Sequence, residues 1–189
     1  MLAQRPLTDV SSNGIRFSIS DLTPPTSRLL HCIYRERASI SLYDALHESG
    51  QGTNPLEFSK QTIEKVADTL QRFKDICRGT GVEQENVVVF ATEAMRTAKN
   101  KDDMLSAIKE KSGWSVDILD PKSESLFGAM GARSGFVNVD GLFMDLGGGS
   151  VQMTYMDSKS GEGYATKAAE AATSMPYGAA RLTDALKCK

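Results

Sequence analysis

A chain of 189 residues has room for one domain, or a domain and an appendage, and buries roughly 70% of its unfolded surface on folding. A hydrophobic share of 40%, a charged share of 24% and a formal net charge of -2 describe an ordinary globular protein. They exclude a basic nucleic-acid binder, and no apolar run is long enough to cross a bilayer.

The first residues, Met1 to Pro6, lack the apolar core of a signal peptide. Cys32, Cys77 and Cys188 are odd in number, far apart and without a CxxC pair, which predicts reduced thiols in the cytosol or nucleus, with the cytoplasm the expected setting. His31 and His47 are the only histidines, too few for a histidine metal cage.

Asn13-Gly14 is a hairpin signal, and Ile15, Phe17 and Ile19 after it alternate with Arg16, Ser18 and Ser20 as a half-buried strand does. The strand before the turn is expected to be short, because Pro6 lacks an N–H and few aliphatic residues surround it. Asp9, Ser12, Asn13 and Arg16 gather an acid and several donors at this turn; the residues alone fit a ligand loop and a plain surface hairpin equally. Pro24-Pro25 breaks the chain. Residues 29–42 read as one or two strands, and His47 to Pro55 as a polar, glycine-rich loop.

Ser59 is placed to cap a helix in which Ile63, Val66, Leu70, Phe73 and Ile76 recur at helical spacing until Gly79. Val87 to Phe90 is a continuous apolar run, expected for a strand covered on both faces. It switches at Thr92 into a helix, which puts the helix start at the carboxyl end of the sheet, where α/β folds bind ligands. Arg96 lies on its first turns; it can meet a phosphate with both guanidinium nitrogens or form a surface ion pair. Helix is expected to continue over 102–111, with a strand at Val116 to Leu119. Another helix spans Lys122 to Arg133, with Leu126, Phe127 and Met130 inward. Glu124 in its first turn suits either the helix dipole or a rigidly mounted base.

The run Met144-Asp145-Leu146-Gly147-Gly148-Gly149-Ser150-Val151 joins two apolar segments through three glycines. Bare backbone N–H groups can converge there on an anion, for which phosphate is the common guest. Asp145 at the strand end then makes sense if Mg²⁺ lies between carboxylate and phosphate, since Mg²⁺ is held by one or two carboxylates plus phosphate oxygens. A tight turn alone needs fewer glycines. Gly161 to Ala169 is expected to be a strand, and Ser174 to Leu182 to lead into a last helix.

These segments, in this order, resemble the exopolyphosphatase/guanosine pentaphosphate phosphohydrolase (Ppx/GppA) family of the actin, sugar kinase and heat-shock ATPase superfamily. Asp9 to Arg16, Ala91 to Asn100, Glu124 with its helix, Asp145 to Gln152 and Ser174 to Leu182 carry the resemblance. It implies an α/β, ribonuclease-H-like domain: a mixed sheet with helices on both faces, residues 1–189 forming the family's N-terminal domain and the second domain being absent. It implies phosphate contacts from Ser12, Asn13 and Arg16 in one loop and from Gly147, Gly148, Gly149 and Ser150 in another. Arg96 would hold a phosphate, Asp145 and Asp9 would place Mg²⁺, and Glu124 would activate water. The implied function is Mg²⁺-dependent release of terminal phosphate from polyphosphate or a guanosine penta- or tetraphosphate, with a guanosine or adenosine nucleotide as the related ligand. The fungal branch implies the alternative, a weakly active or inactive phosphate- or nucleotide-sensing module in mitochondria-to-nucleus signalling, acting through protein partners or a homodimer. Three positions depart from the family: Ser11 stands for a glycine, Gln152 for a glutamate, and Gln4 to Thr8 for an apolar strand.

Overall fold

A computed structural model of the chain describes residues 4–22, 30–48, 56–136, 138–161 and 163–187. Pro24, Pro25 and most of the polar loop before Pro55 lie outside them. Two compact units result, divided between Ile118 and Leu119.

The first unit is built on a five-stranded sheet of order β3-β2-β1-β4-β5. Strand β1 (Gln4–Ser11) turns through Ser12-Asn13 into β2 (Gly14–Asp21), which pairs antiparallel with β3 (His31–Ala38). On its other side β1 runs parallel to β4 (Val88–Ala91), which in turn runs parallel to β5 (Asp117–Ile118). The sheet is therefore mixed. The expected short first strand is instead eight residues long and central. Pro6 is tolerated because β4 pairs only from Leu7 onward, where no ladder N–H from Pro6 is required.

Between β3 and the long helix the expected strand ends early, and α1 (Leu42–Glu48) takes its place. Ser41 receives the Asp44 amide at its hydroxyl, and Leu42, Tyr43 and Leu46 are buried at helical spacing. Helix α2 (Lys60–Gly79) begins as expected: Ser59 φ and ψ are extended and its hydroxyl accepts from the Thr62 amide. A 3₁₀ turn at Gln84–Asn86 precedes β4. Of β4, Val89 and Ala91 are buried, while Val88 and Phe90 are half-buried, so one face is less covered than the apolar run suggests. Helix α3 (Glu93–Thr97) follows directly, but Thr92 makes no side-chain cap bond. The chain leaves the helix at Ala98 and restarts as α4 (Lys101–Ser112), which Gly113 ends with a φ of 74°.

Val10, Ile15, Phe17, Ile19, Val89 and Ala91 form one face of the sheet and share a core with Leu42, Leu46, Val66, Leu70, Phe73, Met104 and Ile108 from α1, α2 and α4. Phe17 stacks on Phe73 with ring centroids 4.5 Å apart. Full burial of one such ring is worth about 1.5–3 kcal/mol. On the opposite face Leu7, Asp9, Arg16, Ser18 and Arg35 line an open cavity of about 580 Å³.

The second unit opens with α5 (Pro121–Arg133). Asp120 caps it by accepting the amides of Lys122 and Ser123, and Pro121 fills the first helical position. Ser125 and Ala129 are its buried residues; Phe127, expected inward, is exposed. Strands β6 (Asp140–Leu146), β7 (Val151–Asp157) and β8 (Thr173–Met175) form an antiparallel sheet of order β6-β7-β8. The strand expected over 161–169 is a helix, α6 (Tyr164–Glu170). Three alanines among its seven residues favour helix, and Gly163 opens it with a φ of 90°. Ala168 is buried, and its carbonyl accepts the Thr154 hydroxyl of β7. Helix α7 (Ala179–Lys187) closes the described chain. No described helix is long and apolar enough to cross a membrane.

Candidate functional site

The residues singled out by the sequence fall into two groups, one in each unit. In the first unit the β1–β2 turn carries Ser12 and Asn13 at its tip and Asp9 opposite Arg16 in the strand register. Their side chains form an ion pair, Arg16 Nη1 lying 3.7 Å from Asp9 Oδ2. Arg16 is 62% exposed along its side chain, so this pair contributes little to stability. Gly14 needs to be glycine: its φ is 144° and a Cβ would lie 2.9 Å from Arg37 Nε. Ser11 is not in the left-handed region, and its hydroxyl donates to the Gly14 carbonyl at 2.8 Å. The departure to serine thus staples the turn without cramping it.

The carbonyls of this turn are tied back. Ser12 O accepts the Tyr43 amide of α1 at 2.9 Å, and Asn13 O accepts Arg37 Nη2 at 2.6 Å. The Ser12 side chain is 5% exposed, and its hydroxyl donates to Glu93 Oε2 at 3.3 Å. The parallel pairing of Val10 with Ala91 explains this: both strands end at one edge, so the turn meets the start of α3. Arg96 is one turn further along α3, its amide bonded to Thr92 O. Ser12, Asn13, Arg16, Asp9 and Arg96 are therefore gathered at the carboxyl edge of the parallel strands.

In the second unit Gly147 to Ser150 form the bend between β6 and β7, closed by Gly147 N–H donating to Ser150 O at 2.9 Å. No glycine of the bend has positive φ. Close approach is what requires a glycine here, at Gly178. Gly178 lies directly against the Gly148–Gly149 peptide, and a Cβ there would overlap the Gly148 carbonyl. The amides of Ala179 and Ala180, the first residues of α7, donate to Gly147 O at 2.8 Å and Gly148 O at 2.9 Å, with Arg181 N 3.4 Å from Gly148 O. The positive end of α7 thus faces the bend's carbonyls. Among the described residues the amides of Gly148, Gly149 and Ser150 make no comparable backbone bond. Carbonyls held on one side and unpaired amides in succession are the arrangement of an anion nest.

Asp145 is the next-to-last residue of β6 and is exposed. Its Oδ2 approaches α5 at Gly128; a Cβ on Gly128 would lie 3.2 Å from it. Glu124 is one helical turn before Gly128 on the same face, half-buried, with its Oε2 shielded from solvent. Glu124 and the residue that Asp145 approaches, Gly128, thus share one helix, and the glycine bend follows Asp145 by two residues in the chain. Among the described residues no group of three His, Cys, Asp or Glu could cage a metal ion. A site of one carboxylate beside a phosphate cradle is still within the habits of Mg²⁺.

Sequence reasoning missed three participants. Gly178 packs under the bend, and a Pro-Tyr-Gly ahead of an alanine-rich run could have marked it as the entry to a helix. Arg37 lies within the run read as strand over 29–42, and it holds the first turn. Gln152 appeared only as a lost acid. It is 2% exposed, and its amide Nε2 donates to Ser150 Oγ at 2.7 Å and lies 3.4 Å from Ser174 Oγ.

Comparison with known proteins gives a consistent picture. The model of the Ppx/GppA phosphatase family matches residues 21–187, a span that includes Arg96, Glu124, Asp145 and the bend but not the β1–β2 turn. Retrograde regulation protein 2 of Saccharomyces cerevisiae is 36% identical over 176 residues, covering 93% of this chain and 29% of that protein. Exopolyphosphatase 1 of Mycobacterium leprae is 28% identical over 184 residues, covering 93% of this chain and 47% of the relative. The chain thus spans less than half the length of either. A crystal structure of the Aquifex aeolicus Ppx/GppA family member superposes with a TM-score of 0.74 at 22% identity, over 96% of this chain and 53% of that one. The two share a fold.

Proposed function

The chain belongs to the Ppx/GppA phosphatase family, and from that premise we propose that it carries the phosphate-binding and water-activating part of a phosphohydrolase acting on polyphosphate or guanosine penta- or tetraphosphate. The observation that carries this reading is the Gly147–Ser150 bend: its carbonyls are bonded to the start of α7, and its next three amides are left for an anion. Glu124 is the base that takes a proton from water, mounted on a capped helix rather than on a loop. Asp145 is the carboxylate that would hold Mg²⁺, and the ion would supply charge neutralisation to the transferred phosphoryl group. The turn at Ser12-Asn13, with Arg16 and Arg96, offers a further set of phosphate donors in the first unit. Such chemistry asks a protein for positioning and charge neutralisation more than for covalent steps.

Gln152 favours a second reading, a phosphate- or nucleotide-sensing module that binds without turnover. A neutral amide stands where the family resemblance implies an acid, and the yeast relative is named for a regulatory role.

The discriminating experiment measures phosphate released from polyphosphate and from guanosine pentaphosphate with and without Mg²⁺, in the wild type and in Glu124→Gln. Turnover that needs Mg²⁺ and drops by about a hundredfold or more in the variant supports the hydrolase. Binding of either compound with no release in the wild type rejects the hydrolase in favour of the sensor.

A further inference from the structure

Gln152 occupies the middle position of three paired strands. Across β6–β7 it faces Asp145, and across β7–β8 it faces Ser174. An amide nitrogen can only donate, so the bond from Gln152 Nε2 makes Ser150 Oγ an acceptor. A serine hydroxyl that accepts in this way keeps its own proton for another partner. Among the described residues the bond from Gln152 is the one hydrogen bond made by the Ser150 side chain, which is 5% exposed at the end of the amide run. A carboxylate at position 152 would reverse this polarity, because it can only accept. It would claim the Ser150 proton and stand directly across the ladder from the Asp145 charge.

We propose that Gln152 is a positioning residue: its side-chain amide fixes the Ser150 hydroxyl as a hydrogen-bond donor toward an anion in the bend. This rests on the reading of the bend as a phosphate site. Its consequence is that the Gln152–Ser150–Ser174 chain itself adds no pH dependence near neutrality to anion binding, whatever the neighbouring Asp145 and Glu124 carboxylates contribute.

The test uses the full chain, labelled with ¹⁵N, and titrates it with sulfate, whose charge does not change between roughly pH 5.5 and 8. The amide resonances of Gly148, Gly149 and Ser150 report binding. Ser150→Ala should bind about tenfold more weakly than the wild type at both values. Relative to the wild type, Gln152→Glu should be weak at the upper pH and recover at the lower one, where burial and the facing Asp145 favour its protonated, donating form. Gln152→Glu with the same affinity relative to the wild type at both pH values overturns the proposal, whether that affinity is high or low, because it leaves Gln152 a packing role alone. A second measurement does not depend on the anion. The side-chain NH₂ protons of Gln152 should exchange slowly and shift in Ser150→Ala. If the wild type binds no sulfate, the phosphate reading of the bend fails, and these protons alone decide the positioning claim. If they are unmoved by Ser150→Ala, that claim fails with it.

Discussion

The two turns that end strand pairs, Ser11–Gly14 and Gly147–Ser150, solve one problem with different parts. Both must hold their carbonyls in place, and both tie them to the start of a helix. The first uses the Tyr43 amide of α1, adding Arg37 for the second carbonyl. The second uses the amides of Ala179, Ala180 and Arg181 of α7, with Gly178 allowing the close approach. Their serines are set in opposite senses. Ser12 gives its proton to the Glu93 carboxylate, whereas Ser150 accepts from the Gln152 amide. One hydroxyl is spent on the fold and the other is left for a ligand.

The largest expected effect comes from forcing a side chain into the second turn. Gly178→Ala places a Cβ into the Gly148 carbonyl, a backbone group that cannot swing aside. Its cost should reach the upper end of the roughly 1–3 kcal/mol of overpacking, or more. The bonds from Ala179 and Ala180 should lengthen, and sulfate binding at the bend should be lost. Gly14→Ala meets the Arg37 side chain instead, which can move, but it forces a φ of 144° on an alanine. That strain is worth about 1–3 kcal/mol. Thermal unfolding of both variants ranks them, and a Gly178→Ala protein as stable as wild type with its bend resonances unshifted removes the account of α7 as the clamp.

Ser12→Ala sharpens the contrast with Ser150. Its hydroxyl bond to Glu93 is partly buried, so its loss should cost about 1 kcal/mol of stability. Because that proton is already committed, anion binding by the first unit should change less than twofold. Sulfate titration followed at the Asn13 and Gly14 amides checks this; a loss as large as that in Ser150→Ala would show the two serines to be equivalent.

Much of this arrangement was legible in the sequence where a residue's local chemistry decides its conformation. Asn13-Gly14, Ser59 and the triple glycine each mark a turn or a helix start through their local chemistry. What failed depends on partners distant in the chain. Strand β1 gains its length from having β2 and β4 on either side, which its composition does not reveal. Helix α1 has seven residues, too few for a helical period to stand out from strand alternation. Helix α6 stands where a strand is expected although its alanines favour helix, and its packing on β7 through the Ala168 carbonyl joins residues 14 apart in the chain. The donor sense of Gln152 could not be read at all, since it follows from the serines that β7 and β8 bring beside it.

The smallest effect concerns the helix that carries Glu124. The Ser123 hydroxyl, followed by backbone amides, holds the Asp120 carboxyl below its ordinary value. A carboxyl depressed in the folded state stabilises above its unfolded pKa of about 3.9 and loses that contribution as pH falls through the folded value. The first turn of α5 should therefore loosen only under acid conditions. Asparagine caps a helix about as well as aspartate and does not titrate. In Asp120→Asn the Lys122 and Ser123 amides should keep their neutral-pH shifts and stop moving on acidification, while in the wild type they follow the carboxyl. Asparagine-variant amides that still titrate would trace the acid response to another group and leave Asp120 a purely geometric cap. The first turn of the β1–β2 unit has no such cap, since Thr92 makes no side-chain bond at the start of α3. Acidification should accordingly leave the Glu93 to Met95 amides without an Asp120-like transition of their own cap residue. The helix that carries Glu124 thus starts on a titrating cap, whereas the start of α3 has no side-chain cap.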